Sequence, residues 1–181
     1  MKGQNNKHTG YMIAILLLLV VGIGIGYAAL TTTLNITGTS GIGKVTWDVH
    51  FEDVAVTSGS VTATKPATVE SNTTTVAYEI SLASPGQFYE FTVKVKNAGT
   101  LPAKLSADPI LAGVSSAQDV YTNYTVAYSD GTAIKANDTL AAGASKTIKV
   151  RVEYDKNITA SQLPTTAQTL NLTYSMNYIQ G

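Results

Sequence analysis

Cysteine is absent from the 181 residues, which removes disulfide frameworks, thiolate metal sites and cysteine nucleophiles without fixing a compartment. Charge is scarce too, at 12 basic and 12 acidic residues, so nothing supplies the positive field of a nucleic-acid binder. Histidine occurs twice, as His8 and His50. No HExxH, nucleophile-elbow or EF-hand pattern appears, so neither a cofactor nor enzymatic activity is expected. Asp48, His50 and Glu52 alternate within "KVTWDVHFE" and sit about 7 Å apart along a strand. A divalent ion could bridge two of them, but alternating charged residues on a solvated strand face are much the commoner explanation. The last shortage is of amphipathic helix: past residue 30 no apolar period of 3.6 persists.

What the chain does contain is one long apolar run. Residues 11–30, "YMIAILLLLVVGIGIGYAAL", hold no charge, and as a helix they span about 30 Å, the thickness of a bilayer core. Lys2 and Lys7 precede the run, which places residues 1–10 in the cytoplasm and the remainder outside. The same features describe a cleaved signal peptide, with Gly26 and Ala28 as the small residues before a cut between Ala28 and Ala29. Gly22, Gly24 and Gly26 would allow close helix packing or would simply loosen the end of a signal helix. Signal or anchor, the run implies a membrane partner at least before processing and an extracellular or cell-surface location.

Beyond it the composition favours strands: 26 Thr, 13 Ser and 10 Tyr against 3 Phe and 1 Trp. Alternating runs recur between turn residues: "KVTWDVHFE", "TVAYEISL", "YEFTVKVKN", "KTIKVRVEY" and "LNLTYSMNY". Tyr78, Tyr89, Tyr154 and Tyr174 fall at inward positions. Ser129-Asp130-Gly131 predicts a tight hairpin turn, and "NITASQLP" a single helical turn. "LASPGQFYEFTVKVKN" and "LAAGASKTIKVRVEY" echo one another, as corresponding strands of two sheets would. Residues 44–181 are therefore expected to form one all-β domain of nine or ten antiparallel strands, a two-sheet Ig-like or jelly-roll sandwich behind one N-terminal hydrophobic helix.

Residues 30–43 are set apart from it. Here Leu30, Thr32, Leu34 and Ile36 share one strand face, Thr31, Thr33, Asn35 and Thr37 the other, and "GTSGIG" follows as a hinge. Such a strand could add to an edge of another copy and give a head-to-tail fibre, making the chain its own partner. Alternatively it folds back into its own sandwich, leaving a monomeric tethered module, or an adhesin for an unspecified ligand. Asn35, Asn72, Asn123, Asn137, Asn157 and Asn171 each open an Asn-x-Thr triplet, the acceptor pattern for N-linked glycans. Ten asparagines and a Ser/Thr share of about a fifth would give about two such triplets by chance.

Two stretches resemble the TasA/camelysin-type surface proteins. "GYAALTTTLNITGT", with Tyr27-Ala28 at the junction, is similar to the start of that family. "SPGQFYEFTVKVKNAGTLPAKL" is similar to its sandwich core at Pro85, Gly86, Phe91, Val93, Val95, Asn97, Gly99, Thr100 and Leu101. The resemblance covers about a third of the chain. It implies export through a specialised signal peptidase and assembly into extracellular biofilm fibres, and related archaeal pili use similar subunits. Ala29-Leu30-Thr31 lacks the aromatic or acidic pair the family carries after the cut. The protease activity described for camelysin does not carry over, because no zinc motif is present.

Overall fold

A computed structural model describes residues 5–29, 34–166 and 168–181, with helix side chains given for residues 8–21. The chain divides into two compact units, Met1–Ile42 and Gly43–Gly181. In the first, α1 (Asn5–Ala29) contains most of the apolar run and begins six residues before it. Among the described residues no helix is long and apolar enough to cross a membrane. Leu30 and Thr32, expected on the face of an N-terminal strand, lie outside the described residues. Leu34 and Ile36 are described: in the isolated chain residues 34–48 have no regular structure, and the two side chains are 88% and 100% exposed. An extended segment becomes a strand only when its amide and carbonyl groups find a ladder, and here they have none.

The second unit is all-β. Its strands are β1 (Val49–Gly59), β2 (Lys65–Val69), β3 (Val76–Glu79), β4 (Phe88–Asn97), β5 (Ala103–Leu105), β6 (Ile110–Ala112), β7 (Thr122–Tyr128), β8 (Thr139–Leu140), β9 (Ser145–Tyr154), β10 (Thr173–Ser175) and β11 (Tyr178–Gln180). Between them lie only a four-residue helix, α2 (Ser116–Asp119), and a 3₁₀ turn at Ala160–Gln162, inside the "NITASQLP" stretch where a helical turn was expected. A four-stranded antiparallel sheet has the order β1-β4-β9-β7; three small sheets, β2-β3, β11-β5-β8 and β10-β6, make up the rest.

The large sheet is the direct product of period-two patterning. Along β4 every second residue is buried, Tyr89, Phe91, Val93, Val95 and Asn97, and β9 buries Ile148, Val150 and Val152 opposite them. Tyr89, Phe91, Val93, Val95, Ile148 and Val150 share one core with Ala67, Ala103, Leu105, Leu140 and Ile134 from the small sheets and loops. On the outer face Arg151 pairs with Glu153 at 2.7 Å and lies 3.8 Å over the Phe88 ring.

Three sequence expectations change here. The two echoing stretches are β4 and β9, neighbours in one sheet instead of counterparts in two. The first alternating run forms a ladder only from Val49 onwards: residues 46–48 run against the turn after β4, where Ala98 N donates to Asp48 O (2.8 Å) and Thr100 N to Thr46 O (3.0 Å). A turn offers no repeating ladder, so Val45 and Trp47 stay 61% and 46% exposed. "LNLTYSMNY" is interrupted, because β10 pairs with β6 while β11 pairs with β5.

Asn97 is the fully buried polar residue that fastens this end of the sheet. Its Nδ2 donates to Leu101 O (2.8 Å) and Leu140 O (3.1 Å), and its Oδ1 accepts from Gly99 N (3.0 Å). A Cβ on Gly99 would come 2.7 Å from Thr46 O, so the approach of residues 46–48 requires glycine there. Asn97→Ala leaves buried carbonyl and amide groups unpaired and is expected to cost on the order of 3 kcal/mol. Urea unfolding followed by circular dichroism would measure it; a loss under about 1 kcal/mol would mean that water replaces the side chain.

Candidate functional site

Along β4 and β9 the inner face of the large sheet is buried, yet the layer over it is not filled. A cavity of about 610 Å³ opens against it inside the second unit. Its floor is the core face of the sheet, with Phe51 from β1, Phe91 and Val93 from β4, Val150 from β9 and Val126 from β7. Val76 and Tyr78 of β3 line it too, as do Tyr174 of β10 and the flanking Leu172 and Met176. Among the described residues β3 pairs only with β2, and β10 only with β6. Each of these short strands thus has one edge without a ladder, and residues of both border the opening.

The groove is apolar but ringed by phenols. The Tyr78 ring packs 5.1 Å from Phe91 and 6.2 Å from Tyr89, and its hydroxyl is buried with no hydrogen-bond partner among the described residues. Tyr124 lies near enough to act on it electrostatically, yet no hydrogen bond of acceptable geometry joins them. Burial drives the Tyr78 pKa up, with Tyr124 and Tyr89 adding to it. Burial likewise pushes Tyr174 and Tyr178 up to about 12, helped by Asp138 in both cases. Tyr89 differs: its hydroxyl accepts from Ala67 N at 3.1 Å.

Of the chemistry-bearing residues singled out from the sequence, His50 is among those lining the cavity, while Asp48, Glu52 and the Asn-x-Thr asparagines are not. Asp48, His50 and Glu52 do meet, with His50 Nδ1 2.7 Å from Asp48 Oδ1 and Nε2 4.0 Å from Glu52 Oε2. His50 pairs with Lys96 across β1 and β4, on the polar side of that ladder, and still borders the cavity beside Val49 and Phe51. Among the described residues no group of three or more potential ligands could hold a metal ion. Ala28 and Ala29 are the last two residues of α1. The six Asn-x-Thr asparagines, Asn35, Asn72, Asn123, Asn137, Asn157 and Asn171, are all exposed. The groove itself had no sequence signal beyond the brevity of the runs around Tyr78 and Tyr174, whose side chains read as ordinary core. No protein-family model, curated protein or solved structure matches the chain.

Two outcomes follow from the phenols. The fold holds Tyr174 and Tyr178 neutral, whereas an unfolded chain ionises tyrosine near pH 10, so their contribution is complete below about pH 10. It is lost as pH rises from about 10 to about 12, and urea midpoints should fall steeply over that window; a flat profile would contradict the burial of these rings. Tyr78→Phe removes a hydroxyl with no hydrogen-bond partner among the described residues and should change stability by less than about 1 kcal/mol, while Tyr89→Phe orphans Ala67 N and should cost about 1–3 kcal/mol.

Proposed function

We propose that the chain is an exported cell-surface structural protein whose β-unit is an Ig-like sandwich short of one strand. The missing strand comes from residues 30–37 of another copy. The observation that carries this reading is the open groove over an apolar sheet face, bordered by two strands with unpaired edges. Leu34 and Ile36, exposed in the isolated chain, supply the matching apolar face, and Leu30 and Thr32 continue it by alternation. Eight residues in a strand reach about 26 Å, enough to line a small sheet. Burial of Leu30, Leu34 and Ile36 contributes about 1.5–3 kcal/mol each before ordering costs. The unpaired edges of β3 and β10 supply a backbone ladder on either side. Since donor and acceptor lie on different parts of each copy, insertion is heterologous and propagates as a filament.

The remaining parts fit an export route. The charge-free run of residues 11–30 acts as a signal or a single-pass membrane anchor, with the β-unit outside. Removal between Ala28 and Ala29 would leave the donor strand at the very N-terminus, and the resemblance to TasA/camelysin-type fibre proteins points the same way. Gly38, Gly41 and Gly43 meet nothing that a Cβ would touch, which suits a linker that must swing.

A second reading is a monomeric tethered module that binds an apolar ligand. What favours it is the cavity volume of about 610 Å³, within the range of small-molecule sites. The two readings separate experimentally. Protein beginning at Ala29 is expected to form filaments visible by negative stain, whereas protein beginning at Lys44 stays monomeric. In the longer protein Leu34→Asp with Ile36→Asp is expected to abolish filaments while leaving the circular dichroism of the β-unit intact. Monomers from the Ala29 protein at high concentration would reject strand exchange, and a co-purified lipophile in native mass spectrometry would then favour the ligand reading.

A further inference from the structure

The asparagines divide by what the fold asks of them. Asn97 is fully buried, makes the hydrogen bonds described above, and is followed by Ala98-Gly99 instead of the glycan-acceptor pattern. Among the six with the pattern, three occupy turns, and in two of these, at Asn72 and Asn137, the turn has its own use for asparagine. Asn72 Oδ1 accepts from Thr74 N and Thr75 N at 3.1 Å each, Asn137 adopts a left-handed φ of 67°, and Asn157 sits in the turn after β9. The other three have no such role. Asn123 stands inside β7, where asparagine is disfavoured, and Asn35 and Asn171 lie in extended backbone without regular structure. The amides of these three are exposed and make no hydrogen bond among the described residues.

We infer that Asn35, Asn123 and Asn171 carry N-linked glycans. Asn123 and Thr125 project from the same exposed face of β7, so acceptor amide and threonine hydroxyl stand together. Transfer forms a bond from Asn Nδ2 to the anomeric carbon of a polyisoprenyl-pyrophosphate-linked glycan. The carbon–oxygen bond to the pyrophosphate breaks, the lipid pyrophosphate leaves with the electron pair, and the amide nitrogen gives up one proton. The donor and its membrane transferase belong to the export machinery.

The positions of the three sites have a consequence for association. β7 is an outer strand of the four-stranded sheet, and a sugar on Asn123 obstructs sheet-to-sheet pairing along that edge. Asn35 alternates with Leu34 and Ile36, so a sugar there points away from the apolar face of its segment. None of the three asparagines lines the cavity. Glycosylation thus closes one edge while leaving the groove and the apolar side of residues 34–36 bare.

The test is peptide mapping by mass spectrometry of the protein purified from its own cells. The peptides containing Asn35, Asn123 and Asn171 are each expected to exceed the bare mass by the same glycan. Asn123→Gln is expected to lower the intact mass by one glycan and leave the urea midpoint of the β-unit unchanged. Bare masses at all three positions would overturn the inference, even with sugar at the turn sites or on serine and threonine. Filament formation by the Ala29 protein does not enter this readout, so either proposal can fail without the other.

Discussion

An apolar sheet face has to be covered, and this β-unit covers its own with short strands that leave a cavity of about 610 Å³ against it. Tyr89, Phe91, Val93 and Val95 of β4, with Ile148, Val150 and Val152 of β9, present a continuous hydrophobic surface, and burying such side chains contributes about 1.5–3 kcal/mol apiece. The strands that answer it are short and fall into three separate small sheets. Where they meet the face, Tyr89 and Val152 are each only 2% exposed; where they part, a cavity remains. Most other features of the unit can be traced to that mismatch between one long sheet and a fragmented second layer.

The fragmentation has local causes. Asn97 turns the chain out of β4 and anchors Leu101 O and Leu140 O, which fixes β5 and β8 over one end of the sheet. At Gly99 the backbone of residues 46–48 passes too close for a side chain, so the approach to β1 is tied to a turn and the ladder begins only at Val49. The C-terminal run changes partners between Ser175 and Tyr178, from β6 to β5. The space between β3 and β10 is what these arrangements leave. The proposed assembly rests on that cavity and on the exposed Leu34 and Ile36.

Legibility followed the range of the interactions. β4 and β9 were readable almost to the residue, since a strand buried on one face alternates strictly and both neighbours of each reinforce the pattern. The Asp130-Gly131 turn was readable too: Asp130 Oδ1 accepts from Thr132 N at 2.8 Å, and Gly131 has a φ of 88°, both properties of the dipeptide. Residues 44–48 misled because alternation reports a preference for extended backbone, not the presence of a ladder. The tyrosines misled for a related reason: Tyr78 and Tyr174 do face inward, but inward here means a cavity, which composition cannot distinguish from a filled core.

By itself the sequence determined an all-β unit of alternating strands behind an apolar helix-forming run, because period, turn residues and charge are carried by neighbours within a few positions of one another. It also contains the six Asn-x-Thr triplets. Only the tertiary structure decided that β4 and β9 adjoin, that β3 and β10 each keep an unpaired edge, and that the inner face between them stays open. Those outcomes depend on which distant segments pair, from Ala103 with Leu140 to Tyr178 with Leu105. Such pairing reflects the competition of whole strands for one surface, and no local pattern encodes its result.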